Sequence, residues 1–135
     1  MFCRGVSPFG PYWDHVLGYW KESLEKPQNV LFLKFEEMKA HPIANLRKLA
    51  EFLGCPFSPE EETKGVVNDI SRLCSFDNLS KLEVNKNEKS WFGVDNKVFF
   101  HRGQVGDWTS SLTTEMIEKF DRITKEKFNG TGITF

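Results

Sequence analysis

The residues best suited to chemistry lie in one short run, Val98-Phe99-Phe100-His101-Arg102-Gly103-Gln104-Val105-Gly106-Asp107-Trp108. Three apolar residues lead into a basic pair, and two glycines then frame a turn that ends in an acid and a tryptophan. That combination suits an anion. Glycine lets backbone N–H groups approach a phosphate closely, successive N–H groups form a concave nest, and the Arg102 guanidinium offers a planar fork matched to phosphate oxygens. A tight surface turn carrying ordinary solvated charges would use the same residues.

Other polar clusters have simpler readings. Glu60, Glu61 and Glu62 follow Ser58-Pro59 and fall in a first helical turn, where the helix dipole favours solvated acids. Glu36-Glu37 reads as a polar turn, and His15 as a solvated residue beside Tyr19 and Glu22. Cys3, Cys55 and Cys74 are odd in number and lack CxxC spacing, which fits reduced thiols in a cytosol better than disulfides or zinc; no metal site is expected. A net charge of -1 argues against a nucleic-acid partner held by a broad basic surface. No apolar run reaches the roughly 18 residues that a membrane helix needs. Pro8, Pro11 and Asp14 break any signal-peptide core after Met1. With 135 residues, 39% of them hydrophobic, the chain has the composition of one soluble globular domain.

The elements that must position the turn are mostly helical. Pro11 is placed to open a helix with Trp13, Val16, Leu17, Trp20 and Leu24 on its apolar stripe, ending near Lys26-Pro27. Pro42 opens another with Ile43, Leu46, Leu49 or Ala50, and Leu53 on its face, stopped by Gly54. Ser58 and Glu61 form a capping box for a helix faced by Val66, Val67, Ile70 and Leu73. Thr113 caps a last helix carrying Met116, Ile117, Phe120, Ile123 and Phe128, and Asn129-Gly130 ends it. Between them, Val30-Leu31-Phe32-Leu33, closed by Lys34-Phe35, is a continuous apolar run of the kind found in buried parallel strands. Its one weak companion is Lys97 to Phe100. A single interior strand lacks neighbours, so part of the fold is expected to lie outside this chain. Asp77 to Lys97, with Trp91-Phe92 in the middle, has little periodicity beyond one short helical turn anchored by Leu79 and Leu82; a stretch of about twenty such residues is functional or disordered.

Several segments together resemble the C-terminal part of a cytosolic sulfotransferase of the plant type that acts on flavonoids and brassinosteroids. They are Gly5-Val6-Ser7-Pro8-Phe9-Gly10-Pro11 with Tyr19-Trp20, Leu31 to Met38, Ala50 to Phe57, Leu73-Cys74-Ser75-Phe76, and the turn from Gly103 to Trp108. The resemblance implies an α/β fold: the C-terminal portion of a P-loop-like three-layer sulfotransferase domain, mostly helical here, with one buried strand near 30–35. It spans residues 1–135, with the N-terminal phosphate-loop half expected upstream and 77–100 as a lid over the ligands. It implies transfer of a sulfuryl group from 3′-phosphoadenosine 5′-phosphosulfate to a hydroxyl of a small metabolite, in the cytoplasm and without a metal, by a monomeric parent that needs neither nucleic acid nor membrane.

By the same resemblance Cys74, Ser75 and Phe76 border the adenine, while His101, Arg102 and Gly103 hold the nucleotide's 3′-phosphate. Phe9 helps to line the acceptor pocket. The family's usual tyrosine near the base is Phe35 here, and the first basic residue of its phosphate turn is His101, a weaker donor expected to lose hold of phosphate as pH rises. The family's dimer motif is matched only at Thr113 and Glu118. Its catalytic histidine and phosphate-loop lysine match nothing in this chain, and His15, His41 and His101 fall at no catalytic position. These residues alone are therefore expected to have no turnover. The alternative expectation is a non-catalytic, truncated relative that serves as a partial nucleotide-binding or interaction module.

Overall fold

A computed structural model describes residue 6 and residues 10–134 of the chain. The described residues are mainly helical: α1 (Tyr12–Glu25), α2 (Phe35–Ala40), α3 (Pro42–Phe52), α4 (Pro59–Thr63), α5 (Val66–Leu73), α6 (Phe76–Leu79), α7 (Glu83–Asn87) and α8 (Thr114–Phe128), with 3-10 turns over Asn96–Phe99 and Asp107–Ser110. They divide into two compact units. One comprises the chain through Phe32 together with Trp108 onward, and the other is Leu33–Asp107.

In the first unit α1 packs on α8. The stripe on α1 does what its spacing predicts: Trp13 is buried, and Val16, Leu17 and Trp20 pack around it with Phe120, Ile123, Phe128 and Ile133. Two indole N–H groups carry long-range hydrogen bonds. Trp13 Nε1 donates to Thr124 Oγ1 at 2.9 Å, and Trp20 Nε1 donates to the Thr131 carbonyl at 2.9 Å. Pro11 is the N-cap rather than the first helical residue. Leu24, assigned to the stripe by spacing, is 61% exposed in the last turn of the helix, which ends at Glu25.

The second unit is a cluster of short helices in which α3 packs on α2 and α5, and α5 also on α4 and α6. Local side-chain chemistry sets its boundaries. α3 ends in a Schellman motif: Gly54 has φ 73°, its N–H reaches the Glu51 carbonyl, and Cys55 N–H reaches that of Ala50. The capping box at Ser58 is complete, with Ser58 N–H donating to Glu61 Oε2 and Glu61 N–H donating to Ser58 Oγ. Gly65, at φ 76°, breaks the expected continuous helix into α4 and α5, so the apolar face beginning at Val66 belongs to α5 alone. Arg47 of α3 grips Glu62 of α4 through two bonds, Nε to Oε1 at 2.6 Å and Nη2 to Oε2 at 2.8 Å.

Those contacts make part of the unit's stability pH-dependent. The Ser58 backbone N–H, helped by its hydroxyl, holds the Glu61 carboxyl below its ordinary value of 4.5, and the Arg47 guanidinium does the same for Glu62. A carboxylate whose folded pKa is depressed stabilises the fold above its unfolded pKa, and that contribution disappears as pH falls through the folded value. Denaturant midpoints measured from pH 6 to pH 3 are thus expected to hold down to about 4.5 and then fall. Glu61→Gln should flatten the profile; an equally steep acid loss in that variant would contradict this source.

The buried strand expected near 30–35 is not found. Among the described residues there is no strand, only an isolated antiparallel bridge between Lys89 and Asp95. Val30 to Leu33 runs as half-buried irregular chain, Lys34 is extended (φ -97°, ψ 136°), and Phe35 already begins α2. A parallel strand exists through hydrogen bonds to neighbours on either side, and none of the described residues supplies them. The weaker candidate at Lys97 to Phe100 falls largely in the 3-10 turn, which packs on α7.

Candidate nucleotide site

The turn at 101–107 is built around Gly103, whose backbone adopts φ 62°, a left-handed conformation natural to glycine. The glycine also makes room. A Cβ at this position would lie 2.5 Å from Cδ2, 2.9 Å from Cγ and 3.0 Å from Cε2 of Phe76, so the aromatic ring sits directly against the turn. Phe76 leans in addition on Phe100, with ring centroids 5.8 Å apart. Segments separated by the whole of residues 77–100 are thereby brought to one place.

What aims Phe76 is a helix joint. Cys74, exposed and free, closes α5 by donating its N–H to the Ile70 carbonyl. Ser75 caps α6, its Oγ accepting from Asn78 N–H at 3.2 Å, while Asn78 Nδ2 donates back to the Leu73 carbonyl at 2.7 Å. Both residues thus have structural work at the joint that sets Phe76 against Gly103.

The two basic side chains of the turn stand largely in solvent and share one acid. His101 Nδ1 lies 2.7 Å from Asp107 Oδ2, and Arg102 Nη1 lies 3.3 Å from Asp107 Oδ1. Asp107 is the more enclosed partner: its side chain is 19% exposed, against 68% for His101 and 57% for Arg102. Asp107 closes the sequence motif, but its type and position alone assign it no role. The signal was its position at the end of a glycine-framed turn, within reach of both cations.

Of the remaining sequence-predicted residues, Phe9 lies outside the described residues. Residues 77–100 contain more helix than their composition predicts, namely α7 and the 3-10 turn after it. Around the Lys89–Asp95 bridge the aromatic side chains turn outward, with Trp91 96% exposed. Among the described residues no group of three or more His, Cys, Asp or Glu side chains is arranged to hold a metal, and no helix is long and apolar enough to cross a membrane. A cavity of about 630 Å³ in the first unit is lined by residues such as Asp121, Thr124, Lys125 and Phe128, none of which belongs to the turn.

Comparison with known proteins gives this arrangement a context. A model of the sulfotransferase domain matches residues 1–132. The chain belongs to the sulfotransferase family. This sulfotransferase chain is 58% identical over its whole length to cytosolic sulfotransferase 5 of Arabidopsis thaliana, and 52% identical over 98% of its length to a flavonol 4′-sulfotransferase of Flaveria chlorifolia. It spans about 42% of the length of both relatives. A crystal structure of a mouse sulfotransferase complexed with PAP superimposes with a TM-score of 0.73 at 29% identity, covering 96% of this chain and 45% of the mouse chain. The sulfotransferase fold of that structure accommodates this mostly helical segment.

Proposed function

We propose that this chain supplies the adenine and 3′-phosphate side of the nucleotide site in a cytosolic sulfotransferase. The whole protein would transfer a sulfuryl group from 3′-phosphoadenosine 5′-phosphosulfate to a hydroxyl of a small metabolite such as a flavonoid or a steroid. The observation that carries the reading is the seat of Phe76 against Gly103, which joins an aromatic platform for a base to a turn bearing His101 and Arg102. An aromatic face and a guanidinium fork beside a left-handed glycine form a compact recipe for a nucleotide 3′-phosphate. Cys74 and Ser75 flank the base through the joint they build, and Phe9 belongs to the acceptor side. Residues 77–100 form the lid, their outward Trp91 and Phe92 serving as the apolar surface that closes over ligand.

Sulfuryl transfer resembles phosphoryl transfer in its demands. The acceptor oxygen forms its bond to sulfur as the bond from sulfur to the nucleotide's phosphate oxygen breaks, a base removes the hydroxyl proton, and cations neutralise the leaving phosphate. This chain's share is to fix the nucleotide by its 3′-phosphate. The base belongs to the part of the longer relatives that this chain does not match, and the histidines here have other surroundings: His15 packs edge-on to Tyr19, and His41 stands between α2 and α3, at the N-cap position of α3 with no capping bond from its side chain. The 135 residues by themselves should therefore show no turnover.

Calorimetric titration of the purified chain with adenosine 3′,5′-bisphosphate tests the assignment. Binding is expected, and Arg102→Ala should weaken it about tenfold to a hundredfold, the range for one lost charge-assisted contact. An unchanged affinity in that variant would remove Arg102 from the site. Binding by the chain alone is compatible with both readings, the sulfotransferase half-site and the partial binding module, and turnover by the full-length protein separates them.

A further inference from the structure

The shared acid of the turn does more than balance charge. A carboxylate accepts hydrogen bonds and has no proton of its own to give, so the 2.7 Å contact from Asp107 Oδ2 requires the proton of His101 to be on Nδ1. In a neutral imidazole the other nitrogen is then a bare acceptor, which repels a phosphate oxygen. We infer that Asp107 is a positioning residue of the phosphate turn: by holding the Nδ1 proton it makes His101 a donor to phosphate only in the imidazolium form, leaving Arg102 to bind at every pH. The inference rests on the assignment of this turn to the nucleotide's 3′-phosphate.

Geometry favours Asp107 as the fixed member of the trio. It is the enclosed side chain, its Oδ1 shielded from solvent, whereas both cations project outward. The surrounding charges have partners elsewhere. Asp77 of α6, which carries Phe76 to the turn, is paired with Lys81 at 2.7 Å. Arg72 of α5 is bonded to Asp69 at 2.9 Å, and Lys97, just before the turn, lies 3.6 Å from Asp95. Asp107 is thus the acid that decides which nitrogen of His101 a ligand can meet. A ligand phosphate arriving at the turn finds Arg102 within ion-pair distance of Oδ1 and finds His101 either charged and donating or neutral and opposed.

The sign of the resulting pH dependence separates it from the ligand's own titration. A phosphate monoester gains its second negative charge near pH 6, so an arginine-only site binds more tightly, or equally well, as pH rises. A site that needs imidazolium binds less tightly over the same interval. Comparing wild type with His101→Arg at each pH cancels the ligand's contribution. The ratio of their dissociation constants for adenosine 3′,5′-bisphosphate is expected to grow about tenfold between about pH 5.5 and 8, the worth of one charge-assisted bond. Asp107→Asn should shrink that growth, because an amide can donate to Nδ1 and so allow neutral His101 to carry its proton on Nε2.

Nitrogen-15 NMR of the full chain reads the tautomer without ligand: neutral His101 should carry its proton on Nδ1. A neutral Nε2–H form would overturn the inference whatever the binding data. A constant ratio between pH 5.5 and 8 would overturn it while leaving the nucleotide assignment intact. Absence of binding at every pH, in wild type and in His101→Arg alike, would instead overturn the assignment on which it rests.

Discussion

Gly103→Ala is expected to cost about 2–5 kcal/mol and to abolish measurable binding of adenosine 3′,5′-bisphosphate. Two separate penalties add at this position. An L-residue at φ 62° carries a left-handed strain of about 1–2 kcal/mol. The new methyl would also meet three atoms of one ring, the nearest at 2.5 Å, and relieving that overlap forces Phe76 or the turn to move, typically at about 1–3 kcal/mol. Phe76 does not yield freely, because the Phe100 ring packs against it with centroids 5.8 Å apart.

Gly106 supplies the control. It too has a positive φ, 79°, but a Cβ there meets nothing within 4 Å, so Gly106→Ala should show the backbone penalty alone. Denaturant midpoints of the two variants separate the terms, and Phe76→Leu combined with Gly103→Ala should recover part of the loss through a favourable coupling. Equal destabilisation by the two glycine substitutions, with no coupling to position 76, would mean that the ring does not sit where the site requires it.

How far the sequence discloses this arrangement depends on the range over which each feature is determined. Caps are local: Ser58, Glu61 and Thr113 carry the acceptors and donors their helix ends need, and each forms the contact its spacing predicts. The stripe from Trp13 to Trp20 and the stop at Gly54 are legible for the same reason. Gly65 is harder, since the periodicity of Val66, Val67 and Ile70 outweighs a single glycine until its φ of 76° is seen. Leu73 continues the same period yet is 58% exposed, because α5 ends there and the chain turns through Cys74 into α6.

Non-local features are where reading by pattern fails. The run from Val30 to Phe35 has the composition of an interior strand, but a strand is a property of its neighbours, and apolar content alone leaves Val30 to Leu33 as half-buried chain and Phe35 exposed at the start of α2. The site shows the converse. Phe76 and the basic turn are recognisable separately, and by resemblance they belong to one ligand, whereas the grip of Asp107 on both cations appears only once the turn is folded. Side-chain identity named the donors. Backbone geometry decides which of their nitrogens a ligand can use.

The largest loss of stability is expected from Trp13→Ala, about 3–5 kcal/mol. Trp13 is 2% exposed at the contact of α1 with α8, its ring 5.7 Å from that of Phe120 and 6.0 Å from that of Tyr12. Truncation removes the largest side chain of the cluster completed by Phe128 and Ile133, and the space left would be too wide for these neighbours to close. It also deprives Thr124 Oγ1 of its indole donor, although a helical threonine hydroxyl can turn back to a carbonyl of the preceding turn. The cavity therefore outweighs the hydrogen bond, and Trp13→Phe should recover most of the loss while Thr124→Val, which removes only the acceptor, costs about 1 kcal/mol. Small domains are stable by only about 5–15 kcal/mol, so Trp13→Ala should bring α1 and α8 to open exchange. Hydrogen exchange on those two helices is the direct measurement. Met116→Ala, on α8 but 54% exposed, should change protection by no more than about 0.5 kcal/mol. If the two variants exchanged alike, the contact of α1 with α8 would not be what holds this unit together.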